Sequence, residues 1–89
     1  MKAIVTVVGK DQVGIIAAVC NKLAEFNVNV LDISQTVMQG YFTMMMVVDV
    51  SGSNVPLAEL SVDMEAMGKE KGLSIRVQRE DIFEAMHRI

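Results

Sequence analysis

Lys2 to Val8 is rich in Val and Ile, apolar at odd and even positions alike, and ends at Gly9. A strand apolar on both faces sits between neighbours, so this segment reads as a central strand. From Gln12 to about Phe26 the period changes. Val13, Ile16, Ala17, Cys20, Leu23 and Ala24 recur at helical spacing, with Asn21, Lys22 and Glu25 opposite them. Ile15, Val19 and Phe26 widen that stripe to roughly half the helix, more than one buried face requires. Val28 to Met38 and Tyr41 to Val50 then read as two strands joined at Gln39-Gly40, where glycine supplies the backbone freedom of a tight hairpin.

In the third strand Phe42, Met44, Met46, Val48 and Val50 alternate with Tyr41, Thr43, Met45, Val47 and Asp49, which predicts the even set on the helix side. SGSN at 51–54 marks a turn into a second helix, with Asn54 as its N-cap and Pro56 in its first turn. Leu57, Leu60, Met64 and Met67 form the buried stripe of that helix, and Gly72 stops it. Leu73, Ile75 and Val77 alternate with Ser74, Arg76 and Gln78, the two-faced pattern of an edge strand. A tail over 80–89 has the spacing for a short helix through Ile82, Phe83 and Met86.

The predicted order is β-α-β-β-α-β. That is the α+β, ferredoxin-like split arrangement, a four-stranded antiparallel sheet with both helices on one face. A chain of 89 residues has room for one such domain, spanning 1–89.

Composition narrows the function. The chain is 52% hydrophobic with eight Met and no Trp, and its mean hydropathy is +0.38. A small monomer struggles to hide so much apolar surface, and no apolar run approaches the roughly 20 residues of a membrane span. The expected cover is a second subunit, making a homodimer formed through the edge of the second strand or through helix faces. The N-terminus reads as a first strand and not as a signal peptide, which places the protein in the cytoplasm. Eight Lys and Arg against eleven Asp and Glu, for a net charge of −3, argue against a nucleic-acid surface. One Cys and one His give no metal-ligand spacing, and no cofactor motif is present. Cys20 falls in the apolar stripe, the place of a buried structural thiol.

What chemistry there is lies in the loop GKDQVG at 9–14. Gly9 and Gly14 meet half the requirement of a P-loop, but Ile15 and Ile16 stand where the phosphate-binding Lys and the hydroxyl must be. A dinucleotide fingerprint fails at Asp11, whose carboxylate would face a pyrophosphate. Asp11 suits instead the ammonium of a small zwitterion, whose carboxylate takes the N–H groups opening the next helix. An amino acid fits this loop better than a phosphate. The plain alternative is that Asp11 merely caps the helix. Gly14 within the first turn implies close approach of something, either a ligand or the sheet, and Asn29 adds a polar group at the start of the second strand.

VTVVGKDQVGIIAAVCNKLAEFNVNVLDISQTV, with its G-x-D-x-x-G-I followed by N-V-N-V-L-D-I, resembles the first half of an ACT domain, the small regulatory module of amino-acid metabolism. More narrowly it is similar to short stand-alone bacterial ACT proteins of uncharacterised role, and more distantly to the ACT modules of the glycine-cleavage repressor. The resemblance implies paired domains and an amino acid bound between the loop after the first strand and the start of the second. In this chain those positions are Asp11, Gln12, Val13, Gly14 and Ile15, with Asn29, Val30, Leu31 and Asp32. With no attached catalytic or DNA-binding domain, sensing would act on a protein partner in trans; a ligand-free dimerisation scaffold is the alternative. An enzyme is not expected, since His87 has no nucleophile arranged beside it and no carboxylate pair stands in a recognisable motif.

Overall fold

The computed structural model describes residues 1–81. The first strand, β1, runs Lys2–Lys10, helix α1 Ile15–Glu25, β2 Asn29–Met38, β3 Tyr41–Asp49, α2 Leu57–Lys71 and β4 Leu73–Arg79. Strand order in the sheet is β2-β3-β1-β4, antiparallel at each pairing. This is the split arrangement expected from the periodicities, with the doubly apolar strand inside the sheet and β2 and β4 at its edges.

The core fills the space between one sheet face and the two helices. Ala3, Val5 and Val7 of β1 meet Phe42, Met44, Met46 and Val48 of β3 there, with Leu73, Ile75 and Val77 of β4. From the helices come Ile15, Val19, Leu23, Leu60 and Met64. Alternation along β3 is as expected, even residues buried and odd ones exposed or half-buried. The hairpin is a tight turn with Gln39 at φ 50° and Gly40 at φ 82°, both left-handed, as the mirror-image hairpin turns require.

Two expectations need correction. In α1 the buried residues are Ile15, Val19 and Leu23; Val13, Ile16, Ala17 and Ala24 are exposed, and Cys20 is half-buried against the core. Of the expected stripe only Leu23 is fully buried, and the sheet side is completed by Ile15 and Val19, which were expected only to widen it. At α2 the N-cap is Pro56, with no side-chain cap. Asn54 is spent elsewhere: its Nδ2 donates to the Glu25 carbonyl at 3.1 Å and its backbone N–H to Phe26 at 3.0 Å. It therefore ties the end of α1 to the β3–α2 connection. Residues 82–89, where a further short helix was expected and where His87 lies, fall outside the described residues.

Gly68 was not anticipated as a packing residue. A Cβ there would lie 2.8 Å from the Leu73 carbonyl oxygen and 2.9 Å from Ile75 Cγ1, so only glycine lets α2 lie this close to β4. Gly72 then ends α2 at φ 72°, and the chain turns directly into β4. Along the β2–β3 pairing the register shifts between Val30 and Asp32, leaving Leu31 as the extra residue of a β-bulge.

Candidate functional site

Four residues separate β1 from α1, and each is held differently. Asp11 donates its backbone N–H to the Gly40 carbonyl at 2.8 Å, fastening the loop to the β2–β3 hairpin. Gln12 reaches the other way, its Nε2 donating to the Lys71 carbonyl at the end of α2 at 3.0 Å. Val13 is fully exposed. Gly14 occupies the N-cap position in the left-handed region, φ 86° and ψ 8°, and its carbonyl accepts the Ala18 N–H at 2.9 Å.

No side chain caps α1. The capping reading of Asp11 thus falls, because the helix begins at Ile15 and Asp11 stands outside its first turn. The N–H groups of that turn remain without a side-chain acceptor, an arrangement suited to an anionic group. Gly14 is also explained differently from expectation. A Cβ at Gly14 would meet nothing within 4 Å, so its positive φ, and not packing against the sheet, calls for glycine. Close approach belongs to Gly9 instead, where a Cβ would come within 2.5 Å of Leu73 Cδ2.

The second set of positions lies at the other end of the sheet. Lys10 faces Tyr41, which faces Met38, whereas Asn29 faces Asp49, which faces Lys2. Eight residues of β3 separate these ends, roughly 26 Å at about 3.3 Å per residue. Within one chain Asp11–Ile15 and Asn29–Asp32 are therefore not brought together. Near the β2 end, Asp32 Oδ1 accepts the Ile33 N–H at 2.9 Å. A shallow cavity of about 180 Å³ lies there, lined by Asp32, Ile33, Ser34, Met45 and Val47. Asn29 borders another of about 240 Å³ with Ala24, Asn27 and Val28. A larger cleft of about 380 Å³, between the start of α2 and the end of β4, touches neither segment, and nothing in the sequence pointed to it.

Other chemistries find little to work with. Among the described residues no group of three His, Cys, Asp or Glu side chains could hold a metal ion, and no helix is long and apolar enough to cross a membrane.

A family model described as an ACT domain matches residues 2–78. The chain belongs to the ACT-domain family. Its relatives include the UPF0237 protein of Listeria innocua, 51% identical over 89 residues and matched along the whole of both chains. Among solved structures, an ACT domain protein from Streptococcus pneumoniae superimposes with a TM-score of 0.82 at 49% identity, covering 98% of each chain. A structure assigned to a glycine cleavage system transcriptional repressor aligns with a TM-score of 0.75 and 21% identity, over 88% of this chain and 44% of that one. That last likeness is one of fold. As an ACT domain the chain is a regulatory, ligand-binding module.

Proposed function

We propose that this ACT domain senses an amino acid as a homodimer and passes the signal to a separate protein in trans. The ligand sits between Asp11–Ile15 of one copy and Asn29–Asp32 of the other. One observation carries the reading: the two segments lie at opposite ends of one sheet, and two-fold pairing of β2 edges is the operation that joins them. In an antiparallel pair of β2 strands the start of each lies beside the end of the other. The end of β2 is the hairpin, and Gly40 of that hairpin holds Asp11.

Surface and chemistry support the same arrangement. Nine of the ten residues of β2 are exposed, including Leu31, Ile33, Val37 and Met38, an unusually bare edge for a lone domain. By the register with β3, Ile33 and Val37 point to the helix side, the side on which α1 leaves Ile16 and Ala17 uncovered. Edge pairing would bring both sets toward the partner. In the completed site Asp11 receives the ligand's ammonium and the uncapped first turn of α1 its carboxylate.

A thermal-shift screen of the amino acids tests the function, because a ligand of the native state raises its melting temperature by mass action. Ile33→Lys, which sets like charges near the two-fold axis of the paired edges, tests the site: it should give a folded monomer that has lost the response. An equal response from that monomer would place the ligand within one chain. No response from the wild type to any amino acid would favour a ligand-free scaffold.

A further inference from the structure

The positions assigned to the ligand divide by what already occupies them. Asp11 and the first turn of α1 serve the ammonium and carboxylate that amino acids share, so discrimination falls to the remaining side chains. Gln12 is spent, its Nε2 donating to the Lys71 carbonyl at 3.0 Å. Gly14 has no side chain, and Ile15 is buried in the core. On β2, Asp32 turns back on its own strand, Oδ1 accepting the Ile33 N–H at 2.9 Å, and Val30 packs partly buried against the core. Asn29 opens on the hollow it lines with Ala24, Asn27 and Val28 at the end of α1. Two side chains are left, Val13 in one segment and Leu31 in the other, and both are aliphatic.

The backbone holds both of them out. The loop carrying Val13 is pinned on either side of it, by the Asp11 N–H to the Gly40 carbonyl at 2.8 Å, by Gln12, and by the left-handed turn at Gly14. Val13 is left fully exposed. Leu31 is the extra residue where the β2–β3 register shifts, and it stands 47% exposed. A single exposed aliphatic residue on a protein surface is ordinary. Here the two fall in the two segments that the proposed pairing sets facing each other, one from each copy.

We infer that the amino acid taken by this site has an aliphatic or thioether side chain, clasped between Val13 of one copy and Leu31 of the other. The inference rests on the two-copy site proposed above and names the class of ligand that it selects. Each methylene moved from water into such a contact strengthens binding roughly fourfold, so leucine should exceed alanine by roughly tenfold or more. A hydroxyl or amide in the same place would lose its water and gain no partner from Val13 or Leu31. An acidic side chain would meet the carboxylates of Asp11 and Asp32, one on either flank, and be repelled.

Calorimetric titration decides it, running glycine, alanine, valine, leucine, methionine, serine, glutamate and lysine against the wild type, V13S, V13L and L31S. The expected wild-type series strengthens from glycine through alanine to leucine and methionine, with serine, glutamate and lysine binding no tighter than alanine. V13S, at a side chain wholly in solvent, should flatten the series, costing leucine roughly tenfold more than it costs glycine. L31S should do the same, and V13L should keep the series. A flat wild-type series, a tighter serine, glutamate or lysine, or a leucine preference that V13S and L31S leave intact overturns the inference while sensing by the two-copy site stands. A V13S loss shared equally by every ligand does so too, since it would mark the loop and not the side chain. Silence from all twenty amino acids in the thermal screen overturns the sensing reading and this inference together.

Discussion

The backbone N–H of Asp11 bonds the carbonyl of Gly40 at 2.8 Å, across 29 residues of chain, so the loop after β1 and the β2–β3 turn form one surface. Anything that docks against the end of β2 therefore docks against Asp11.

Because Asp11 caps no helix, its carboxylate is separable from the fold. Asp11→Asn should change stability by less than about 0.5 kcal/mol, as exposed substitutions do. Loss of a charge-assisted bond to an ammonium should weaken an amino-acid ligand by about 1.5 to 3 kcal/mol, roughly tenfold to somewhat over a hundredfold. Calorimetric titration alongside urea melts reads both numbers. Equal affinities would remove Asp11 from the site.

Gly14 offers a substitution in which space and conformation are distinguished. At φ 86° with open space around it, Gly14→Ala meets no clash but must hold a left-handed backbone, costing about 1 to 2 kcal/mol. Gly14→Asn should recover part of that, since Asn tolerates the region better. Identical losses for Ala and Asn in denaturant melts would point to packing after all.

Gly68 should behave in the opposite way. Alanine is the better helix former by about 1 kcal/mol, yet its Cβ would come within 2.8 Å of the Leu73 carbonyl oxygen, a backbone atom that cannot swing aside. Overpacking of this kind costs about 1 to 3 kcal/mol, so Gly68→Ala should destabilise on balance. A stabilised variant would mean that α2 moves off β4 easily.

Acid should uncover Asp49. Its carboxylate accepts the Ser51 N–H at 2.9 Å, and that bond, helped by the Ser51 hydroxyl and the N-terminal ammonium, holds its pKa below the usual value. A lowered folded-state pKa stabilises the fold above the unfolded value near 3.8, and the contribution is lost as pH falls through the folded value. Asp49→Asn should flatten the stability profile below about pH 4. An unchanged acid limb in pH-dependent melts would contradict this.

How much of this was legible in the sequence varies with how local the cause is. The alternation in β3 and the stop at Gly72 are set by neighbouring residues, and both follow from pattern and turn chemistry. In α1 the period was legible and the phase was not. Leu23 can be joined either by Ile16, Ala17 and Cys20 or by Ile15 and Val19, and only the sheet's position chooses between the two. Asp11 looked like a cap because Asp caps well, but the left-handed Gly14 delays the helix past it. Gly68 gave no signal, since a glycine that admits a neighbouring strand looks the same in sequence as one that weakens a helix. The relation between Asp11 and Asn29 lay furthest out of reach, because the strand spacing that parts them emerges only in the folded sheet.

Leu31, the unpaired residue of the bulge in β2, bears on the edge pairing proposed above. A regular strand has translational freedom: slid by two residues, it offers the same rhythm of donors, acceptors and faces, and several alignments compete. An extra residue near one end abolishes that equivalence, because a slipped copy would meet the kink out of step. The bare edge therefore has something like a key cut into it, favouring one alignment of two identical chains over the sliding, open-ended association that long exposed strands invite.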